Sequence, residues 1–476
     1  MSAGEAIALL LAAIDISFRL AALVIVPRNR RPQTSMAWLL AIFFIPFFAF
    51  LVFLAFGSHR LSPKRLEMQE TIRAFLEART SLSRAAGAPA NFAPLVAMNK
   101  HLGHMALSAG NSAEFFADYN ESLQAMTKAI DKATASVHVE FYIMAVDDST
   151  KEFFAALARA QKRGVHVRVL FDQVATKRVP GSRHLKRTLE DMGIEYRAML
   201  PIQPWRGVYQ RPDIRNHRKI LVIDSMTAFT GSQNIIDSAY HRRRNKGLHW
   251  LDLMVRLNGP IVADLEALFV TDWFHETNVL LDLPHTDQKP GTGNSVMQLV
   301  PSGPAVEGES NLRMFNSLMY EAKDQITIVS PYLVPDDSMR YAITSAALRG
   351  VEVNVFVSEV GDQPTVFYAQ RSYYEELLKA GVRIWLYPAP AVLHSKFIVV
   401  DNRVAVMGTS NLDMRSFSLN LELSILLLTE QEIQALATIA TEYQQRSREL
   451  TLNEWNHRGQ ATRFIEGLAR VTATVQ

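Results

Sequence analysis

Two long apolar runs open the chain, and after them short branched-apolar stretches alternate with amphipathic ones. Residues 6–26 are mostly apolar, and residues 36–57 are more so, holding Trp38, Phe43, Phe44, Phe47, Phe48, Phe50 and Phe53. A helix of roughly 20 residues crosses the hydrocarbon core of a bilayer, so this pattern predicts a hairpin of two transmembrane helices. Asp15 and Arg19 interrupt the first run, but they lie four apart on one helical face, where each can neutralise the other. A secretory signal would also put an apolar run near the start. The lack of a basic stretch before it, and the longer apolar run directly after it, favour the hairpin. Arg28, Arg30 and Arg31 lie between the runs, and Arg60, Lys64 and Arg65 follow the second, so charge does not fix the topology. Two crossings put the N-terminus and the remainder of the chain on the same side.

Residues 61–80 are charged, with Leu66, Ile72, Phe75 and Leu76 at helical spacing, which predicts a connecting helix at the membrane surface. Residues 81–110, rich in Ala, Gly, Pro and Ser, read as a linker or a loosely packed cover. A repeat then begins. Helices near 120–134 and 150–163 alternate with strands at 137–143 and 165–171; helices near 311–323 and 337–348 alternate with strands at 326–330 and 351–357. Arg163-Gly164-Val165 and Arg349-Gly350-Val351 hold equivalent places, each closing a helix on glycine and opening a strand. Such alternation predicts an α/β sandwich in each half. Residues 282–305 carry Pro284, Pro290, Gly291, Gly293, Pro301, Gly303 and Pro304 and read as the connection between halves. The expected organisation is therefore a hairpin at 1–58, a connecting helix and linker at 59–112, a first half at 113–282, a linker at 283–305 and a second half at 306–476.

Composition narrows the chemistry. The 476 residues contain no cysteine, which excludes disulfides and thiolate catalysis. Fifty basic residues against 47 acidic ones give a net charge of +3, without the strongly basic balance of a nucleic-acid binder. Anionic partners must be sought in local patches. One is Arg242-Arg243-Arg244 with Lys246, where each charge near an anionic lipid surface is worth about 1 kcal/mol.

The candidate chemistry lies in two copies of one pattern, H-x-K-x4-D-x6-G-[ST]-x-N. The first is His217, Lys219, Asp224, Gly231, Ser232 and Asn234; the second is His394, Lys396, Asp401, Gly408, Thr409 and Asn411. One copy alone would carry little weight, but two with the same offsets are hard to obtain by chance. The four residues between Lys and Asp are apolar in both, which reads as a buried strand with His and Lys on one face of its start.

On these paired motifs the chain resembles the phospholipase D superfamily over nearly its whole length, and within it the bacterial cardiolipin synthases. Arg30-Arg31-Pro32 followed by Trp38 and Pro46 is similar to the membrane hairpin of that family. The resemblance implies two phospholipase D-like α/β sandwich halves related by a pseudo-two-fold, preceded by a two-helix transmembrane hairpin, with both motifs in one site.

Cleaving a phosphodiester requires a nucleophile on phosphorus, a proton for the leaving alkoxide and positive charge around the phosphoryl oxygens. One histidine can attack to form a phosphohistidine while the other handles the proton; Lys219 and Lys396 neutralise charge, and Asn234 and Asn411 add hydrogen bonds. This scheme requires no cofactor and no metal. Resemblance favours His217 as the nucleophile. Glu422, 28 residues after His394 in a run similar to the family's, is expected to orient a motif histidine, and Asp252 is its expected counterpart for His217. Asp224 and Asp401 are expected to fix the turn after each strand, and Ser232 and Thr409 to help position the phosphate. Glu140 looks like a glutamate common in the family, with either a supporting role or an ion pair inside the sheet. An insertion before the first motif (24 positions from Gly193 to His217 against 13 from Gly381 to His394) brings Trp205, Arg206, Tyr209 and Arg211, either a headgroup subsite or a plain surface loop.

The implied activity is a phosphatidyltransferase of the bacterial cell membrane, multi-pass, with phosphatidylglycerol, cardiolipin and the bilayer as partners and no nucleic acid. A phospholipase D releasing phosphatidic acid shares the chemistry with water as acceptor. A nuclease fits less well, given the charge and the hairpin, and a non-catalytic membrane binder would have damaged motifs.

Overall fold

Ser2 caps the first helix by accepting from the Glu5 backbone while Glu5 reaches back to the Ser2 N–H, and from there the chain runs helical for 23 residues as α1 (Ala3–Ile25). At 1.5 Å per residue that is about 34 Å, enough to cross a bilayer. In this computed structural model the described residues are 2–28, 32–57, 65, 67–68, 71–72, 87–203, 211–240, 247–281, 293–304, 306 and 308–471. They form two compact units, Met1–Arg60 with Ile202–Ile214, and Leu61–Pro201 with Arg215–Gln476.

Within the first unit Asp15 and Arg19 pair at 2.8 Å, as their spacing predicts. The second apolar run departs from expectation, because two helices, α2 (Pro32–Phe44) and α3 (Pro46–Phe56), replace one long span. Pro46 is the cause. It has no N–H to give to the preceding turn and it pushes Ile45 out of helical geometry, to φ −134° and ψ 68°. Thirteen and 11 residues reach only about 20 and 16 Å, so among the described residues α1 alone has the length and composition to cross a membrane. Ala22, Val26, Ile42, Ala49 and Phe53 hold the three helices together. Trp205, Arg206 and Tyr209 of the insertion, the run Arg242-Arg243-Arg244 with Lys246, and most of the expected connecting helix lie outside the described residues.

The second unit is built on strands β1 (Leu107–Phe116), β2 (Ser136–Phe141), β3 (His166–Asp172), β4 (Glu195–Met199), β5 (Lys219–Ile223), β6 (Thr227–Gly231), β7 (His249–Leu251) and β8 (Met254–Asn258) from the first half. The second half adds β9 (Ser295–Ser302), β10 (Gln325–Val329), β11 (Leu333–Val334), β12 (Glu352–Ser358), β13 (Arg383–Tyr387), β14 (Ala391–Leu393), β15 (Phe397–Val400), β16 (Val404–Gly408), β17 (Leu412–Asp413), β18 (Glu422–Leu427) and β19 (Arg448–Leu450). One 15-stranded sheet runs β4-β3-β2-β5-β6-β8-β1-β9-β18-β16-β15-β10-β12-β13-β19. About the antiparallel β1–β9 joint the order is mirrored, and in both arms the two outer pairings before β19 are parallel and the rest antiparallel. This repeated order is the pseudo-two-fold.

Helices cover both faces. Along β5, Ile220 and Val222 join a core that includes Leu265 and Leu268 of the helix Ile261–Thr277, while Leu221 and Ile223 join the opposite core with Leu123 and Phe153. Burial on both faces explains the unbroken apolar runs after each motif. Gly164 and Gly350 adopt φ +87° and +93° after the helices Lys151–Lys162 and Asp337–Leu348, as the paired Arg-Gly-Val signals predict.

Two stretches read as linker are structured. Within 283–305, Ser295–Ser302 form β9, a central strand whose Met297, Leu299 and Val300 are buried. Before β1, Ala93–Gly103 are helical, and Gln298 of β9 ties that segment down by donating to the carbonyls of Val96 and Met105, each at 3.0 Å.

Candidate active site

Beyond the main sheet, the halves are laced together where the motifs begin. β7 runs parallel to β14, and an isolated bridge joins Asn216 to Leu421. As a result the His394 N–H donates to the Leu251 carbonyl and the His217 N–H to the Leu421 carbonyl, both at 2.8 Å. Leu251 and Leu421 directly precede Asp252 and Glu422. Each histidine is thereby seated beside the acid of the other half.

The side chains follow. His217 Nδ1 lies 2.9 Å from Glu422 Oε2, and His394 Nδ1 lies 2.6 Å from Asp252 Oδ1. The expected pairing of Asp252 with His217 is therefore corrected to a crossed one. Spacing along one chain favours an acid in the same half, whereas the parallel β7–β14 contact brings in the opposite one. With the Nδ1 proton directed at a carboxylate, each ring keeps its Nε2 lone pair for chemistry.

The G-[ST]-x-N turns serve these acids. Ser232 Oγ donates to Asp252 Oδ1 and Thr409 Oγ1 to Glu422 Oε2, each at 2.6 Å, and both hydroxyls accept a backbone N–H at 2.9 Å, from Leu253 and Leu423. The two hydroxyls hold carboxylates rather than standing free for a phosphate. The preceding glycines make this approach possible, since a Cβ on Gly231 or Gly408 would sit 2.2 Å from the Leu253 or Leu423 carbonyl oxygen. Glu422 also accepts from Ser416 Oγ at 2.8 Å and Asn420 Nδ2 at 3.2 Å.

Burial sets the charges. It lowers His217 to about 4, with Glu422 opposing and Lys219 and Lys396 adding to the fall. His394 is lowered too, by burial and by Lys396, against Asp252. Lys219, fully buried, is lowered by burial to about 7, with Lys396 contributing; Lys396 is lowered by burial to about 8. Burial pushes the Glu422 carboxyl up, but the charges of His217 and Lys219 and the hydrogen bonds from His217 and Thr409 bring it below its ordinary value. Asp252 is likewise held low against burial by His394, Ser232 and Lys396. The site thus holds two imidazoles whose protonation burial disfavours and two destabilised ammonium groups, an arrangement that an anionic phosphodiester would relieve. Lys219 and Lys396 are steadied by their own motifs, donating to the His217 carbonyl at 2.7 Å and the His394 carbonyl at 2.6 Å.

Asn234 accepts from the Ile143 N–H at 3.2 Å through its oxygen, and Asn411 has its side-chain oxygen buried without a partner among the described residues. Asp224 and Asp401 stand apart at the far ends of β5 and β15, at φ +52° and +53°. Asp224 accepts the N–H groups of Thr134, Ala135 and Ser136, and Asp401 those of Lys323, Asp324 and Gln325. Both tie turns.

Sequence reasoning passed over three neighbours of His217. Tyr142 packs edge-on to its ring with centroids 4.7 Å apart and faces Lys219 Nζ at 5.4 Å. Asn216 donates to Glu140 Oε1 at 3.0 Å. Arg218, buried, donates to the Glu422 carbonyl at 3.2 Å and pairs with Asp272. The one available signal was a charged residue between His and Lys where the strand is about to be buried. Among the described residues Glu140 has no ion pair; burial first, then Asp272, holds its carboxyl well above the ordinary range.

A duplicated α/β half with one H-x-K motif per half, meeting in a single crossed site, defines the phospholipase D-like class. A family profile described as "Cardiolipin synthase, PLD-like domain" matches residues 126–273 and 316–446, and one described as "Phospholipase D-nuclease N-terminal" matches residues 7–58. Proteins named cardiolipin synthase A are similar over most of their length. That of Proteus mirabilis is 32% identical over 457 residues, 92% of each chain, and that of Serratia proteamaculans is 31% identical over 454 residues, 93% of each. The crystal structure of phosphatidylserine synthase from Haemophilus influenzae Rd KW20 aligns with a TM-score of 0.58 at 16% identity, covering 76% of this chain and 94% of that one, a likeness of fold. The chain belongs to the phospholipase D-like cardiolipin synthase family.

Proposed function

We propose that this protein is a cardiolipin synthase that transfers a phosphatidyl group between two phosphatidylglycerol molecules. The crossed pair of histidine–carboxylate contacts beside two buried lysines carries the reading, because it provides two imidazoles with free Nε2 atoms and cationic charge for one phosphodiester.

In the first step His217 Nε2 attacks phosphorus and the P–O bond to the terminal glycerol breaks. His394, which takes up a proton at Nε2 as the anionic phosphodiester binds and Asp252 backs its Nδ1, gives that proton to the glycerol oxygen, leaving a phosphatidyl-histidine. The terminal hydroxyl of a second phosphatidylglycerol then gives its proton back to His394 and attacks phosphorus, the P–N bond breaks, and cardiolipin and free His217 result. Lys219 and Lys396 balance the phosphoryl oxygens throughout. The choice of nucleophile is supported by the shorter contact of His394 to Asp252, which accepts only two donors, His394 and Ser232, among the described residues. Such a carboxylate favours the imidazolium that the proton-carrying histidine must become.

The protein is membrane-associated, with α1 as its apolar helix, and in this reading α2 and α3 together make a broken return through the bilayer. The deciding experiment supplies detergent-solubilised protein with phosphatidylglycerol, a chelator and no nucleotide, and identifies products by mass spectrometry. Cardiolipin with free glycerol is expected; phosphatidic acid alone would make the protein a hydrolase.

A further inference from the structure

The helix Gln460–Val471 is mounted with its apolar side outward. A surface helix ordinarily buries its apolar stripe and exposes its charges. Here Phe464, Leu468 and Val471, at i, i+4 and i+7, are 73%, 61% and 75% exposed, while Glu466 is 2% exposed. Glu466 fixes the orientation, accepting from Arg371 Nε at 2.9 Å and Arg458 Nε at 2.8 Å. Both guanidinium groups stack over Trp455, at 4.7 and 4.2 Å from its ring centre. Arg463 and Arg470, seven residues and so two turns apart, fall along one edge of the outward stripe. Arg470 approaches Glu376 at 3.8 Å, and Glu376 also binds Arg340 of the helix Asp337–Leu348. That helix exposes Tyr341 and Leu348, again seven apart and so on one face of it.

We propose that this outward stripe docks the catalytic unit on the surface of an anionic bilayer. A helix with an apolar stripe and an arginine edge suits the boundary between acyl chains and anionic headgroups, where the apolar residues leave water and the guanidinium groups meet phosphate. The proposal rests on the reading that the substrates are anionic membrane lipids, because such a surface holds the unit against the plane in which they lie. A second copy is the poorer occupant. A two-fold contact through the stripe would pair the same patch with itself and bring like-charged arginine edges together.

The absence of cysteine makes the test direct, since Phe464→Cys creates a single labelling site. The full chain carrying an environment-sensitive dye there is reconstituted into vesicles of phosphatidylcholine with or without phosphatidylglycerol, and an Asn453→Cys protein serves as control. The expected result is a blue-shifted signal at position 464, several-fold stronger with phosphatidylglycerol, weakened by salt and quenched by brominated lipid, with no change at 453. A dye at 464 that stays in water, or a blue shift that ignores brominated lipid and grows with protein density, overturns the proposal, the second outcome indicating a protein contact. Neither readout needs turnover, so the docking is measurable in a His217→Ala background even if the synthase reading fails. Phe464→Ser with Leu468→Ser is expected to slow turnover several-fold on vesicles and to leave it unchanged in detergent micelles. An equal loss in both would mark a structural role and count against docking.

Discussion

The two halves of the catalytic unit repeat their backbone closely and their chemistry loosely. Both arms of the sheet carry the same strand order, both glycines admit a hydroxyl to a carboxylate, and both histidines reach across the joint. The surroundings then diverge. Among the described residues Glu422 accepts four donors, from His217, Thr409, Ser416 and Asn420, where Asp252 accepts two, from His394 and Ser232. Between His and Lys the first motif has Arg218, paired with Asp272; the second has Ser395, whose hydroxyl meets Tyr443 at 2.9 Å. Duplication supplies a symmetric frame, and in the proposed reaction a few side chains set the nucleophile apart from the proton carrier.

The largest effects test those roles. His217→Ala and His394→Ala are each expected to lower turnover by about 10⁴-fold or more while membrane insertion persists. With a nitrophenyl phosphodiester, which leaves without a proton, His394→Ala should accumulate the covalent adduct by mass spectrometry and His217→Ala should not. The reverse pattern would exchange the assignments.

Next come the acids, each expected to lower kcat by about 10²- to 10⁴-fold when neutralised. Because the pairing is crossed, Glu422→Gln in the second half should slow adduct formation even with the nitrophenyl substrate. Asp252→Asn should spare that step and impair the one needing a proton. Rapid-quench kinetics would distinguish these, and Glu422→Gln behaving like His394→Ala would refute the crossing.

Arg218→Met leaves Asp272 and Glu140 facing each other without a cation, at a cost of about 3 to 5 kcal/mol. Ser395→Ala should cost about 1 kcal/mol; urea titration of both variants measures the two costs, and equal losses would erase this difference between halves.

The lysines predict a pH profile. A lowered lysine loses its charge as pH rises through its folded value, so kcat/KM should fall above pH 7 to 8, where Lys219 and Lys396 deprotonate in the free enzyme. His217, lowered to about 4, stays neutral and nucleophilic well below pH 6. A profile still rising at pH 9 would contradict this assignment. The smallest effect on activity belongs to Asp224→Asn and Asp401→Asn, which should each cost about 1 to 3 kcal/mol of stability with kcat nearly unchanged.

Much of this frame was legible in the sequence. The alternating elements came from periodicity, and Tyr119–Asp131, Lys151–Lys162, Gln325–Val329 and Asp337–Leu348 lie within a few residues of their expected places. The motif residues were legible because their spacing is repeated. The partner of each histidine was not, because β7 and β14 are three-residue strands whose pairing is set in space. β9 was hidden by the prolines and glycines on both sides of it, and the start of β1 by its Ala, Gly and Ser content. The break in the second apolar run was legible in principle from Pro46, but hydrophobicity outweighed it.

The crossed seating of the histidines also acts as an interlock. If β7 parts from β14, His394 loses its carbonyl and its acid together, and the Asn216–Leu421 bridge that seats His217 lies along the same seam. A partly opened molecule therefore disarms instead of becoming a leaky esterase that spills lipid into water. Genes encoding the halves separately would yield two inert proteins until they met, so the covalent fusion of the repeats keeps the active state intramolecular.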